Sequence, residues 1–272
     1  MPNIRLTIAY DGTDYAGWQV QKNAKTVQAE IEKALKKIFR EKIKLIGAGR
    51  TDSGVHAKAQ VANFSVRHCE AERSEAEAIP YEIASLPLVA RNDGKKPLLR
   101  LQAALNSNLP PDIRITAAKK VPSKFHSQYD AKSKLYRYTI LNGRIDDPFT
   151  KNYYHKVPYG LDVSLMKKEA KVLLGKHDFK SFQAKSNASK IKSTVRTIRR
   201  IGIKQESSVI TINFEGDGFL HNMVRNLMGT LIEIGRGYFP KGSMRKILDR
   251  KDRTKAGPTA PACGLTLIKV KY

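Results

Sequence analysis

Residues Gly49-Arg50-Thr51-Asp52-Ser53-Gly54-Val55-His56-Ala57 connect two runs that alternate like strands, Ile43-Lys44-Leu45-Ile46 before them and Val61-Ala62-Asn63-Phe64-Ser65-Val66 after them. The nine residues are therefore a strand-to-strand loop, and the fold must hold both flanking strands to carry it. Gly47, Gly49 and Gly54 permit sharp bends and close backbone approaches that a Cβ would forbid. Such a loop presents Arg50, Asp52 and His56 outward. For an isolated Arg and Asp two residues apart, the ordinary reading is a surface turn capped by the Asp.

The rest of the first half supplies a scaffold. Ile4 to Tyr10 alternates as a strand and runs into an Asp11-Gly12 turn, followed by Tyr15 and the single tryptophan, Trp18, read as a core or rim anchor. A helix starts after Thr26, its N-cap, with Val27, Ile31, Ala34, Leu35, Ile38 and Phe39 on one face. The order is thus β-α-β-β. A short helix over Leu101-Gln102-Ala103-Ala104-Leu105-Asn106 is stopped by Pro110 and Pro111, and a strand follows through Val121. Lys134 to Ile140 alternates as another strand, with Tyr136 and Tyr138 on one face.

Asp146-Asp147-Pro148-Phe149 punctuates the chain near its midpoint, so we expect halves of 1–145 and 146–272. Asp162 caps a helix closed by Gly175. The pattern then predicts a hairpin from Ile201 to Phe214, a long helix from Gly218 to Ile234 with Arg225 in its middle, and a last strand from Gly264 to Val270. The second half echoes the first as strands with packed helices.

Charge narrows the partners. With 50 Lys and Arg against 25 Asp and Glu the 272 residues carry +25, and 41% apolar content suits a folded chain, so a polyanion is the first expectation. Lys185, Lys190, Lys192, Arg196, Arg199, Arg200 and Lys204 follow one another without an acidic residue between them. Lys190, Lys192 and Arg196 are the candidates for phosphate contacts. Two cysteines and six histidines show neither a disulfide framework nor metal-ligand spacing, so no metal is expected. Nothing approaches the roughly 20 apolar residues of a membrane span, and the reading is a cytoplasmic protein.

Residues 67–97 break the pattern. They hold five basic and six acidic residues inside a chain of +25, and their wording resembles the translation of a mobile palindromic repeat. We read them as a surface insertion, neutral for function, with a helix over 70–78.

Gly-Arg-Thr-Asp-x-Gly-Val-His-Ala resembles the signature loop of the tRNA pseudouridine synthase A family, and Tyr-Asp-Gly-Thr-x-Tyr-x-Gly-Trp-Gln resembles that family's first motif. Further matches follow in order: Asn-x-Leu-Pro-x-Asp-Ile, Lys-x-Tyr-Arg-Tyr, His-Asp-Phe-x-Ser-Phe, His-Asn-Met-Val-Arg-Asn and Ala-Pro-Ala-x-Gly-Leu. They span nearly the whole chain outside the insertion. The resemblance implies an α/β (α+β) fold of two ferredoxin-like halves that form one continuous antiparallel sheet, with helices on one face and an active-site cleft between the halves. It implies a homodimer acting on the anticodon arm of tRNA, where uridines 38, 39 and 40 become pseudouridine.

By the same resemblance Asp52 is catalytic, Arg50 fills the gap left by the extruded base or holds phosphate, and Tyr136 stacks on that base. Leu265 lines the uracil pocket, and Arg225 pairs with Asp52. His56 receives no role. Asp52 attacks the sugar, attacks the base, or acts as a base on the sugar, and the sequence does not choose. Breaking N1–C1′ and rejoining through C5 is an isomerisation, so no cofactor is expected. Gly175-Lys176 and Gly235-Arg236-Gly237 match neither a P-loop nor a dinucleotide fingerprint. Two rivals share the basic surface: a non-catalytic RNA chaperone, and a tRNA glycosylase that exchanges bases.

Overall fold

Strand β1, Asn3–Tyr10, alternates a buried face of Ile4, Leu6, Ile8 and Tyr10 with half-buried residues on the other side. That period of two is what a strand with one face in the core requires. The structure, a computed structural model, describes residues 2–66, 97–184 and 193–272. It is mixed α/β with mostly antiparallel strands and several helices, the class expected, and it divides into two compact units, Met1–Ala131 and Lys132–Tyr272. The strand over residues 133–142 thus lies in the second unit.

In the first unit β1 pairs antiparallel with β3, His56–Ser65, on one side and with β4, Ile113–Val121, on the other. Helix α1, Val27–Phe39, begins at Thr26, whose hydroxyl accepts from the Ala29 amide, and buries all six residues of the expected face. Helix α2, Pro97–Asn108, leads into β4, and its Asn106 side chain brackets Ile115 by accepting from the amide (2.8 Å) and donating to the carbonyl (3.0 Å). Pro97 is the first helical residue, a position where proline's missing N–H costs nothing. The expected helix over 70–78 and the rest of 67–96 lie outside the described residues.

In this first unit two elements differ from their sequence pattern. Only Ile46–Gly47, β2, pairs with β3, whereas Ile43 to Leu45 stay off the sheet. The reason lies in α1: Gln28 Nε2 donates to the Leu45 carbonyl at 3.1 Å and Glu32 Oε1 accepts from its amide at 3.0 Å, so side chains take the bonds a strand would have made. The second is β3, whose first residue, His56, is only 4% exposed instead of projecting from the loop. Its Nδ1 meets the Gly12 amide and an Asp11 carboxylate oxygen, each at 3.0 Å, which turns the ring inward.

In the second unit β10, Leu265–Lys271, β5, Ser133–Asn142, β9, Val209–Gly216, β8, Val195–Glu206, and β7, Gly175–Asp178, pair antiparallel in that order. Strand β6, His155–Val157, adds a parallel pairing to β5. Helix α3, Val163–Ala170, is capped by the Asp162 carboxylate, which accepts from the Leu165 amide, as expected, but it tightens into a 3-10 turn over Lys171–Leu173, and Gly175 opens β7 instead of closing the helix. Helix α4 covers Met223–Gly235 instead of starting near Gly218, because Asn222 sits at φ 56°, a left-handed conformation that cannot continue an α-helix. Phe219 consequently lies on the approach to the helix. Helix α5, Ser243–Arg250, was not foreseen: the Glu169 carboxylate of α3 caps it from 73 residues away by accepting from the Gly242 and Met244 amides. Among the described residues no helix is long and apolar enough to cross a membrane.

Candidate active site

Asp52 stands on a turn whose two flanks are both tied to the segment after β1. The Trp18 amide donates to the Thr51 carbonyl at 3.1 Å, and the Tyr15 carbonyl accepts from the Gly54 amide at 3.3 Å and from Ser53 Oγ at 3.1 Å. The turn closes on itself through Val55 N–H to the Asp52 carbonyl, 3.1 Å, with Gly54 at φ 77°. Beneath it the Tyr10 hydroxyl lies 2.7 Å from Thr51 Oγ1, and Gln60 Nε2 donates to the Gly49 carbonyl at 2.9 Å. Asp52 is half-buried and Arg50 exposed. The backbone that carries the Asp52 carboxylate is thus fixed in advance, which is one condition for accurate attack or proton transfer.

The fit leaves no room for side chains at two glycines. A Cβ at Gly12 would come within 2.1 Å of the Val55 carbonyl oxygen. At Gly17, where φ is +97°, it would come within 2.6 Å of the Thr51 carbonyl oxygen. The two stretches flanking these glycines, 10–18 and 49–57, are therefore halves of one interlocked frame. Burial, with the Thr51 and Gln60 bonds opposing it, pushes the Tyr10 phenol up, so the hydroxyl stays protonated and available to the turn.

The Leu-Pro-x-Asp-Ile stretch also holds this frame. Tyr15 OH donates to the Asp112 carboxylate at 2.6 Å, and the Asp112 carbonyl accepts from the Asp11 amide at 3.0 Å. Lys25 adds its ammonium 4.5 Å above the Tyr15 ring. A lone Asp after two prolines carries no local signal of a tyrosine 97 positions earlier.

Tyr136, Leu265 and Arg225 belong to the second unit. Tyr136 faces Leu267 on β10 and Phe214 on β9 in the sheet register, while Leu265 faces Tyr138. All four β5 and β10 side chains share one face, with Leu265 the diagonal neighbour of Tyr136. Tyr136 is 7% exposed, Leu265 4%, and the Phe219 ring stands edge-on to Tyr136 at 5.2 Å. Arg225 is half-buried, and its Nε donates to the Ala260 carbonyl at 2.7 Å while Nη1 donates to Asn222 Oδ1 at 3.0 Å. The Ala260 amide returns a bond to the Arg225 carbonyl, 3.1 Å, and Tyr138 OH donates to the Pro261 carbonyl, 2.9 Å. Residues 260 and 261 are thus held from both Arg225 and Tyr138 just before the turn that leads into β10 at Leu265.

Arg253 completes this frame without joining the candidate residues. Its guanidinium donates to the Gly257 carbonyl at 2.9 Å, to Asn226 Oδ1 at 3.0 Å and to Thr259 Oγ1 at 3.1 Å. Of the phosphate candidates, Arg196 is on β8, its Nη1 donating to the Ser193 and Val195 carbonyls, whereas Lys190 and Lys192 lie outside the described residues. No group of three or more His, Cys, Asp or Glu among the described residues could hold a metal ion.

The chain matches the family described as tRNA pseudouridine synthase over residues 6–130 and 170–272. It is 44% identical over 272 residues to a Thermoanaerobacter pseudethanolicus protein named tRNA pseudouridine synthase A, covering all of both chains. The proteins of that name from Clostridium acetobutylicum and Acetivibrio thermocellus are 43% and 41% identical, again over the whole of both chains. Among solved structures, a chain of a Cbf5–Nop10–Gar1 complex aligns with 97% of this chain and 48% of its own length, at a TM-score of 0.35 and 11% identity.

Proposed function

Because the chain belongs to the tRNA pseudouridine synthase family, we propose that it converts uridine to pseudouridine in tRNA, at positions 38, 39 and 40 of the anticodon stem-loop. The observation that carries the proposal is the turn at Asp52, whose carboxylate rests on a backbone fixed through Trp18, Tyr15 and Tyr10. The reaction breaks the N1–C1′ bond, turns the uracil, and forms C5–C1′. C5 gives up a proton to solvent and N1 takes one from it, so the base is neither oxidised nor reduced and the chemistry calls for no cofactor.

Asp52 is the carboxylate in this reading, acting as nucleophile or as base. Extruding the target nucleotide from a stacked arm costs a few kcal/mol, which protein contacts must offset. We assign Arg50 to the space or the phosphates left by the extruded base, Tyr136 to stacking on the uracil, and Leu265 to its apolar lining. Arg225 is assigned to keeping the Asp52 carboxylate ionised. The bond from Arg225 to the Ala260 carbonyl and the burial of Leu265 at the start of β10 support those roles, since both side chains are held before RNA arrives.

Arg196, with Lys190 and Lys192, is read as contacting RNA phosphates, in keeping with a net charge of +25. We place the enzyme in the cytoplasm as a homodimer and read residues 67–97 as an insertion. Tritium release from tRNA labelled at C5 of uridine tests the reaction, since only substitution at C5 expels that hydrogen. A glycosylase would liberate free uracil and a chaperone would release nothing.

A further inference from the structure

Lys134, the lysine two residues before Tyr136, takes no part in the roles above, yet it lies on the same face of β5 as that ring. Its partner across β9 is Gly216, so no side chain stands opposite it there. The Phe219 ring fills that gap, with Cζ 3.2 Å from where a Gly216 Cβ would be, and meets Tyr136 edge-on at 5.2 Å. On the next strand Ile198 pairs with Gly216, and Arg196, two residues before it, shares that face. Arg196 runs beside Gly218, its Nε 3.6 Å from where a Cβ would stand. Lys134 and Arg196 thus flank the aromatic pair Tyr136 and Phe219.

Two cations have been brought to one part-buried corner, and none of the ion pairs formed by described residues engages either of them. Burial first, and the Arg196 charge second, hold the Lys134 ammonium below the usual lysine range. Such an arrangement is costly for the protein alone, and an anion between the two charges would relieve it. Arg196 is oriented for that task, because Nη1 is already held by the Ser193 and Val195 carbonyls.

We infer that Lys134 and Arg196 form a two-point clamp for one phosphodiester of the RNA, the linkage flanking the nucleotide whose base lies on Tyr136. The inference rests on the reading that Tyr136 receives the extruded uridine. A phosphate is favoured over a free carboxylate ligand because the neighbouring ring belongs to a base-stacking site and a nucleotide brings both groups on one strand. The clamp adds to base recognition a fix on the backbone next to it, which sets where the sugar stands relative to the carboxylate.

The test uses the full-length protein with a synthetic anticodon stem-loop, in which single linkages around the target uridine are replaced one at a time by uncharged methylphosphonates. Lys134→Ala should weaken binding of the unmodified RNA about tenfold or more, the scale of a charged hydrogen bond, and reduce the salt slope by about 0.9. One methylphosphonate should weaken wild-type binding by a similar factor and leave Lys134→Ala unaffected, and Arg196→Ala should share that one position. Lys134→Arg should restore most of the loss.

Tritium release by the wild type on the same RNA examines the reaction separately. Release with a Lys134→Ala affinity and salt slope equal to wild type overturns the clamp and leaves the reaction standing. No release by the folded wild type overturns the reaction reading, and the clamp falls with it. A Lys134→Ala loss that is the same for every methylphosphonate position, accompanied by a lower melting temperature, also overturns the clamp, because it marks a structural lysine.

Discussion

The Tyr10 hydroxyl and Thr51 Oγ1 lie 2.7 Å apart, both buried, so the end of the first strand supports the residue immediately before Asp52. The bond joins chain positions 41 apart and ties down the peptide that leads into Asp52. Tyr10→Phe removes it while keeping the ring that meets Trp18 at 6.1 Å. We expect a loss of about 1 kcal/mol of stability from the broken bond and the unsatisfied threonine. The single-turnover rate at saturating tRNA should fall more than affinity does, since the defect concerns aim. Denaturant melting and rapid-quench rates check this, and a variant equal to wild type in both would show that the turn holds itself.

Asp52→Asn and Asp52→Ala should both abolish turnover while tRNA binding survives, because the cationic surface supplies most of the affinity. Arg50 is exposed on the same turn, and Arg50→Ala should bind tRNA yet turn over poorly through failed extrusion. Filter binding beside tritium release separates the two effects. Near wild-type turnover in either Asp52 variant would remove the carboxylate from the chemistry, and normal turnover of Arg50→Ala would remove Arg50 from the site.

Gly17→Ala should be far more damaging than an average surface change. It forces an L side chain to φ +97°, costing about 1–2 kcal/mol, and drives a Cβ to 2.6 Å from the Thr51 carbonyl oxygen, with an overlap cost of about 1–3 kcal/mol. Gly160→Ala, with nothing within 4 Å of the added carbon, is the control and should stay within about 0.5 kcal/mol. Circular-dichroism melts of the pair decide the matter: equal melting would mean the loop relaxes freely around Gly17.

Which parts of this arrangement could be read from sequence follows from how local their causes are. The face of α1, its Thr26 cap and the Asp162 cap of α3 were legible because period and capping chemistry act within one or two turns. The extent of β2, the burial of His56 and the start of α4 were not. Each depends on a distant or conformational fact: Gln28 and Glu32 competing for Leu45, the Gly12 amide at His56 Nδ1, and a left-handed Asn222. The α5 cap is the extreme case, since its carboxylate comes from α3. The site residues were named from motifs, whereas what holds them in place, Tyr10, Tyr15, Asp112, Asn226 and Arg253, emerged only once the motifs were seen touching.

Replacing Lys190, Lys192 and Arg196 together should weaken tRNA binding and flatten its dependence on salt, since fewer counterions would be released. Each phosphate that is no longer neutralised reduces the slope by about 0.9 on duplex and about 0.7 on single strand, so the change in slope reports how many of the three reach the RNA. Affinity measured at several salt concentrations provides the number. An unchanged slope would mean that all three side chains face solvent in the complex.

The acidic-leaning segment after β3 provides the last prediction. It is nearly neutral inside a chain of +25, holds none of the residues assigned to the site, and separates two stretches with family motifs on either side. Its described borders are both well formed: Val66 donates to the Pro2 carbonyl at 3.3 Å just after β3, and Pro97 opens α2. The removable part is therefore 67–96, one residue shorter than the sequence pattern suggested. Loop closure free energy changes slowly with length, so exchanging these residues for a short Gly/Ser linker alters the cost by only about 0.6 kcal/mol per halving, in the favourable direction. We expect the shortened protein to melt within a few degrees of the parent and to release tritium from C5-labelled tRNA at a comparable rate. Failure to fold would mean the segment contributes to the core, and normal folding with lost activity would mean that it touches the RNA or a second copy of the chain. Either result would overturn its reading as a neutral insertion.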